Sequence, residues 1–233
     1  MPRIKTSTGY FRYHPIPIYC GFAVLDKEIE EENLLLFSDI MKKHNVPFAF
    51  LGGSLLGAVR EHDFIEHDDD IDLGINIKYL QNVIDILQEF VDVGFEVARY
   101  DRRCIISIIR KGQYIDLAFF EDYNSTTYSC CGWLVLKEFL DNLDYIEFKG
   151  KKYLAPRDYE NYLSCEFGPD WMTPIKYFNF NQPWWRVQII KVSEIIKAYL
   201  PGFLYFPLKR KAEAKVAQNY PARIDRYNNR KNN

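Results

Sequence analysis

Gly52-Gly53-Ser54-Leu55-Leu56-Gly57-Ala58-Val59-Arg60, followed after the loop 61–67 by Asp68-Asp69-Asp70-Ile71-Asp72, is the stretch that decides the fold. In an extended strand, side chains alternate between faces, so Asp68, Asp70 and Asp72 are expected on one face and Asp69 on the other. Three carboxylates that close repel one another, and folding around them is costly unless a cation neutralises them. Hard oxygen ligands select Mg²⁺ or Mn²⁺ over zinc. The run also opens like an EF-hand loop, which needs Gly at its sixth place and Glu at its twelfth. Those places hold Leu73 and Tyr79, which excludes the calcium loop.

Upstream, Gly52-Gly53-Ser54 follows the short apolar run 48–51 and reads as a turn opening a helix over 55–60. Exposed backbone N–H groups at such a start bind phosphate, and glycines let the phosphate come close. Arg60, at the end of that helix, either reaches a phosphate oxygen or faces water. Residues 26–44 have helical apolar spacing behind an acidic first turn, and Pro47 ends them. Downstream, 71–75 reads as a strand with one wet face and 79–93 as an amphipathic helix. Strands follow at 95–100, 104–109 and 114–120, with Lys111-Gly112 as a hairpin turn between the last two. A further hairpin at 145–154 and a helix at 158–167 complete an α+β plan with a mixed sheet. Asp116 sits alone inside the apolar run Tyr114-Ile115-Asp116-Leu117-Ala118-Phe119. It completes a metal-binding triad if its strand lies beside the first, and otherwise occupies the wet face of a strand.

The 233 residues carry a formal charge of −2, which excludes a nucleic-acid binder acting by bulk charge. Tyr and Phe at 17 each require a largely aromatic core. The five cysteines, Cys20, Cys104, Cys130, Cys131 and Cys165, fit neither a disulfide framework nor a zinc knuckle by spacing. Free thiols in a reducing compartment are the expectation, and with neither a signal peptide nor a spanning apolar stretch the expected location is cytoplasmic. Expected divisions are an N-terminal extension (1–25), a main domain (26–175) and an irregular, partly helical appendage with a basic tail (176–233). Trp184-Trp185-Arg186, the apolar run 199–208 and the cations after it could dock weakly on an anionic membrane. The blander expectation is that these aromatics pack over the domain.

The glycine-to-arginine segment, then Phe64-Ile65 and the aspartate run, resembles the LicD/fukutin family of the nucleotidyltransferase superfamily, which shares a polymerase-β-like palm. A second, distant segment, Phe167-Gly168-Pro169-Asp170-Trp171-Met172-Thr173-Pro174, is similar to that family's Tyr-Gly-x-x-Trp-Met-x-Pro, and Pro156-Arg157-Asp158-Tyr159 precedes it. The resemblance covers roughly 30–175. It implies transfer of phosphocholine, or of ribitol or glycerol phosphate, from a CDP-linked donor to a glycan or glycolipid hydroxyl, with release of CMP. Passage of a nucleoside monophosphate from an NTP, and a non-catalytic binding role, are the alternatives. Carried onto this chain, it makes Asp70 and Asp72 metal ligands and Asp116 a third ligand or a base. Asp68 becomes a supporting group or a ligand to a second metal. Gly52, Gly53, Ser54, Arg60, Asp170 and Trp171 fall to substrate binding. Where the family usually has Pro-Trp before the aspartates, this chain has Glu66-His67.

Overall fold

The computed structural model describes residues 1–18, 25–65, 68–174 and 183–231. It opens with an antiparallel hairpin of β1 (Arg3–Thr6) and β2 (Gly9–Arg12). Helix α1 (Lys27–Lys43) is capped by Asp26, whose carboxylate accepts from the N–H groups of Glu28 and Ile29. Glu28 and Glu30 in its first turn and Lys42 and Lys43 in its last suit the helix dipole. Then come β3 (Ala49–Phe50), α2 (Gly52–Arg60), β4 (Asp70–Asn76), one 3₁₀ turn (Ile77–Tyr79), α3 (Leu80–Asp85), α4 (Leu87–Asp92), β5 (Glu96–Tyr100), β6 (Ile105–Arg110) and β7 (Gln113–Asp122). A short hairpin, β8 (Thr127–Cys130) and β9 (Trp133–Leu136), leads to α5 (Lys137–Leu140), and β10 (Leu143–Phe148) pairs with β11 (Lys151–Pro156). Helices α6 (Tyr159–Phe167), α7 (Trp184–Tyr199), α8 (Gly202–Ala217) and α9 (Pro221–Lys231) follow.

The main sheet runs β10-β11-β3-β4-β7-β6-β5, with β8 and β9 attached beyond one end of β7. Pairs β4–β7 and β11–β3 are parallel and the rest antiparallel, so the fold is α+β with a mixed sheet. Strand β7 is central and buried on both faces over its first eight residues. One face packs on α1 and α4, where Phe37 stacks on Phe90 at 5.5 Å between ring centroids. Phe50, Phe148 and Tyr153 extend an aromatic core under β10 and β11.

Several elements differ from the sequence expectation. The glycines are not a turn before the helix but its first turn, since α2 begins at Gly52. The single helix expected over 79–93 breaks at Ile86, between α3 and α4. The extension 1–25 contains a hairpin, and the segment 127–136 another. The strand carrying the aspartates has no fully wet face, because it lies inside the sheet with its acid side half-buried. Beyond 183 the described chain is helical rather than irregular, and Tyr227 of α9 enters the main core beside Phe139. Of the aromatics of α7 and α8, Tyr205 packs on the domain, its hydroxyl donating to the Asp101 carbonyl at 3.1 Å, whereas Trp184 is 76% exposed and Phe203 77%.

Candidate active site

Strand pairing builds the site. Asp72 of β4 stands beside Asp116 of β7, Asp116 beside Ser107 of β6, and Ser107 beside Arg99 of β5. Residues paired in register project from the same face, so four side chains form one row across four strands. Asp70, two positions before Asp72, joins the acid end. Asp70, Asp72 and Asp116 each offer a carboxylate oxygen within 4.8 Å of the other two. Asp116 is 6% exposed, which removes the wet-face alternative for it.

Asp116 is held from the far side. Its Oδ2 accepts from Arg99 Nη2 at 2.8 Å and its Oδ1 from the Ser107 hydroxyl, while Arg99 Nε donates to Ser107 Oγ at 3.0 Å. One guanidinium cannot offset three carboxylates. Burial pushes the Asp70 and Asp72 carboxyls well above the usual carboxylate range, and the neighbouring aspartates push them further. Each of these residues keeps some accessible surface, as a site that must admit a ligand requires.

Asp69 does not turn away. Regular strand geometry starts only at Asp70, so Asp68 and Asp69 are loop residues free of strict alternation. Asp68, Asp69 and Asp70 form a second group of carboxylates within 4.8 Å, sharing Asp70 with the first. Burial raises Asp68 to about 6, helped by the Asp69 charge. Glu66 and His67 lie outside the described residues. The loop before the aspartates is anchored through Asp63, which pairs with Lys27 of α1 at 2.8 Å and Lys149 of the β10–β11 turn at 2.5 Å.

The first turn of α2 lies directly over these acids. Gly52 has φ +51°, and a Cβ there would sit 2.5 Å from Asp72 Oδ2. A Cβ on Gly53 would collide with Asp68 Oδ2. The glycines therefore admit the carboxylates to the helix N-terminus, a role that sequence reasoning had given only to phosphate. Ser54 Oγ accepts from the Asp72 N–H at 2.8 Å, which ties α2 to β4 and leaves the hydroxyl proton to donate elsewhere. Gly52 N donates to the Tyr162 hydroxyl of α6 at 3.1 Å.

Arg60 does not face water. It pairs with Glu61 at 2.8 Å, and its Nη1 donates to the Trp171 carbonyl at 3.1 Å. That bond joins the two distant motif segments. Trp171 is partly buried against the core, whereas Asp170 is exposed, its carbonyl accepting from Thr173.

Arg99, Ser107, Tyr162 and Glu166 are site residues that sequence reasoning missed. Glu166 of α6 is half-buried beside Trp133 and Arg223, and its charge raises the Asp72 carboxyl further. A signal existed for Ser107. The two-residue turn Lys111-Gly112 pairs residue 110 with 113, and counting back along that register sets 107 opposite 116.

Residues 45–158 match the family model described as LicD/FKTN/FKRP, nucleotidyltransferase domain. They are a LicD-family nucleotidyltransferase domain. The LicD-family match takes in α2, the whole aspartate run and Asp116, but not the Trp171 segment. Human ribitol-5-phosphate transferase FKTN is 26% identical over 194 residues, covering 76% of this chain and 42% of that protein. The chain thus spans less than half the length of that relative. Among solved structures, the lincosamide antibiotic adenylyltransferase LnuA is 13% identical with a TM-score of 0.43, covering 71% of this chain and 96% of its own. The antibiotic-resistance factor ANT(2'')-Ia is 11% identical with a TM-score of 0.46, covering 89% and 99%.

The donor set of the LicD domain suits a hard divalent cation. Three convergent carboxylate oxygens are what Mg²⁺ or Mn²⁺ accepts, with metal–oxygen distances of about 2.0–2.1 Å for Mg²⁺.

Proposed function

We propose that this chain is a metal-dependent transferase that moves phosphocholine or a polyol phosphate, such as ribitol or glycerol phosphate, from a CDP-linked donor to a glycan or glycolipid hydroxyl. The observation that carries the reading is the in-register pair Asp72–Asp116, with Asp70 beside it, under the glycine-built start of α2 in a LicD-family domain. The human relative is a ribitol-5-phosphate transferase, which supports the polyol-phosphate class.

Asp70, Asp72 and Asp116 would hold Mg²⁺ or Mn²⁺, and the Asp68–Asp69–Asp70 group, sharing Asp70, offers a place for a second ion. Such an ion, when bound, neutralises charge on the attacking and leaving oxygens of an in-line displacement at phosphorus. The acceptor oxygen forms a bond to the donor's distal phosphorus as the bond from that phosphorus to the CMP oxygen breaks. The hydroxyl proton passes to an aspartate oxygen or to water. The chain's own task is positioning. The backbone N–H groups of Gly53 and Ser54, in the first turn of α2, would donate to phosphate oxygens. Arg60 holds the Trp171 segment at the other end of that helix, where Asp170 and Trp171 would meet donor or acceptor.

The exposed aromatic face of α7 and α8 supports weak peripheral contact with a membrane, which would suit a lipid-linked acceptor. No helix among the described residues is long and apolar enough to cross a membrane.

The decisive experiment is a panel of CDP-choline, CDP-ribitol and CDP-glycerol with Mg²⁺ or Mn²⁺ and a glycan acceptor, scored by CMP release. Metal-dependent CMP release from one donor is expected. Pyrophosphate release from an NTP, with no CMP from any donor, would overturn the reading in favour of nucleotidyl transfer.

A further inference from the structure

Linear spacing gives Cys104, Cys130 and Cys131 no metal-binding pattern, yet the fold brings them together. Cys104 immediately precedes β6, Cys130 ends β8, and Cys131 opens the turn into β9. Their sulfurs lie within 4.8 Å of one another, with Cys104 Sγ and Cys131 Sγ 3.1 Å apart. We propose that Cys104, Cys130, Cys131 and Asp101 form a Zn²⁺ site that staples the start of β6 to the β8–β9 turn beneath α8.

The backbone is shaped for this convergence. Neighbouring residues of a strand point to opposite faces, so Cys130 and Cys131 could not both face Cys104 if the strand simply continued. It does not: Cys131 has φ +52° and Gly132 φ +89°. A two-residue hairpin turn with both φ values positive normally takes Asn, Asp or Gly first. A cysteine there costs about 1–2 kcal/mol in backbone strain. That side chain is swung back beside its neighbour, onto the third sulfur.

Asp101 is prepared as the fourth ligand. Its Oδ1 accepts three backbone N–H groups, from Arg103 at 2.9 Å and from Cys104 and Ile105 at 2.8 Å. This locks the carboxylate and aims Oδ2 at Cys131 Sγ, 2.8 Å away. Ligands held by such outer bonds are oriented before the metal arrives. Three thiolates and a carboxylate outweigh the charge of Zn²⁺, and Lys209 of α8 supplies compensation, its ammonium bonded to Asp101 Oδ2 with the side chain only 9% exposed. An oxygen with two lone pairs serves both.

Helix α8 also closes over the turn. A Cβ on Gly132 would collide with the Glu213 carbonyl, so the turn lies flush against the helix. A tetrahedral zinc with sulfurs at about 2.3 Å needs sulfur–sulfur edges of about 3.8 Å, so the 3.1 Å Cys104–Cys131 contact would open by about 0.7 Å on binding. Three thiolates select a softer ion than the carboxylates of the active site, and four protein ligands make the site closed and structural.

The test is the metal content of the full chain, purified under reductant and dialysed against EDTA. About one zinc per chain is expected, falling to about a tenth or less in Cys104→Ser and Cys131→Ser and unchanged in Cys165→Ser. Because a serine variant could unfold, the intact wild-type chain is also loaded with Co²⁺ under reductant. Thiolate-to-cobalt charge-transfer bands with tetrahedral d–d absorption, displaced by zinc, are expected. Absence of both zinc and the cobalt bands would overturn the proposal, as would full zinc retention in the two serine variants. An intact mass showing a Cys104–Cys131 disulfide in the reduced preparation would overturn it too.

Discussion

Asp70 and Asp72 are costly side chains to keep where they are. Burial and mutual repulsion raise both carboxyls, so each destabilises the metal-free fold at neutral pH. Asp70→Ala should therefore leave thermal stability unchanged or slightly raised without metal, while transfer falls on the order of 10³-fold or more. A thermal melt in EDTA beside a CMP-release assay checks both halves. Arg99 behaves in the opposite sense. It is the counter-charge of Asp116, and Arg99→Ala should cost about 1–3 kcal/mol in a denaturant titration, with Arg99→Lys recovering part of the loss. Glu30 of α1 is fully buried, with neither carboxylate oxygen hydrogen-bonded among the described residues, and burial lifts it from 4.5 to about 8. Between those values the native state holds a proton that the unfolded chain has released, so stability falls as pH rises from 4.5 to about 8. Glu30→Gln should flatten that slope and stabilise the protein at pH 9 on the order of a few kcal/mol, with little effect at pH 4.5. Melts across pH would show it.

At the scale of elements, most of the sheet and α1 were legible because their apolar periods are long and bounded by Pro47, Lys111-Gly112 and Lys149-Gly150. The β8–β9 hairpin was not, because its strands are four residues long and its turn uses Cys131 where Asn or Asp would have announced it. The acid triad was visible as composition, and its third member was offered on condition that two strands be neighbours. Arg99 stayed hidden, because an irregularity between Val97 and Arg99 breaks the count along β5 and an arginine in a strand reads as a wet-face residue. Gly52 was read as a phosphate cradle, and geometry adds the space for Asp72. Gly52→Ala forces φ +51° on a side chain and sets a methyl against that carboxylate. It should weaken Mg²⁺ binding about 10–100-fold by calorimetry, more than its effect on folding would suggest.

Over the whole molecule, the C-terminal helices are less separable than an appendage would be. Lys209 and Arg223, counted in the sequence as tail cations, turn inward to Asp101 and Glu166, and Tyr227 fills a place in the main core. What remains outward is the aromatic face of α7 and α8. Hydrophobicity along the chain could not separate these cases, since inward and outward cations look alike in sequence. The parallel pairing of β4 with β7 has a further consequence, for time rather than space. Asp72 and Asp116 are 44 residues apart, and the chain between them, which holds β5 and β6, must cross over before the two meet. Closing so distant a contact is a late event in folding. During synthesis the acids of β4 therefore emerge before Asp116 exists, and the three-carboxylate group is assembled only once β7 has taken its place beside β4.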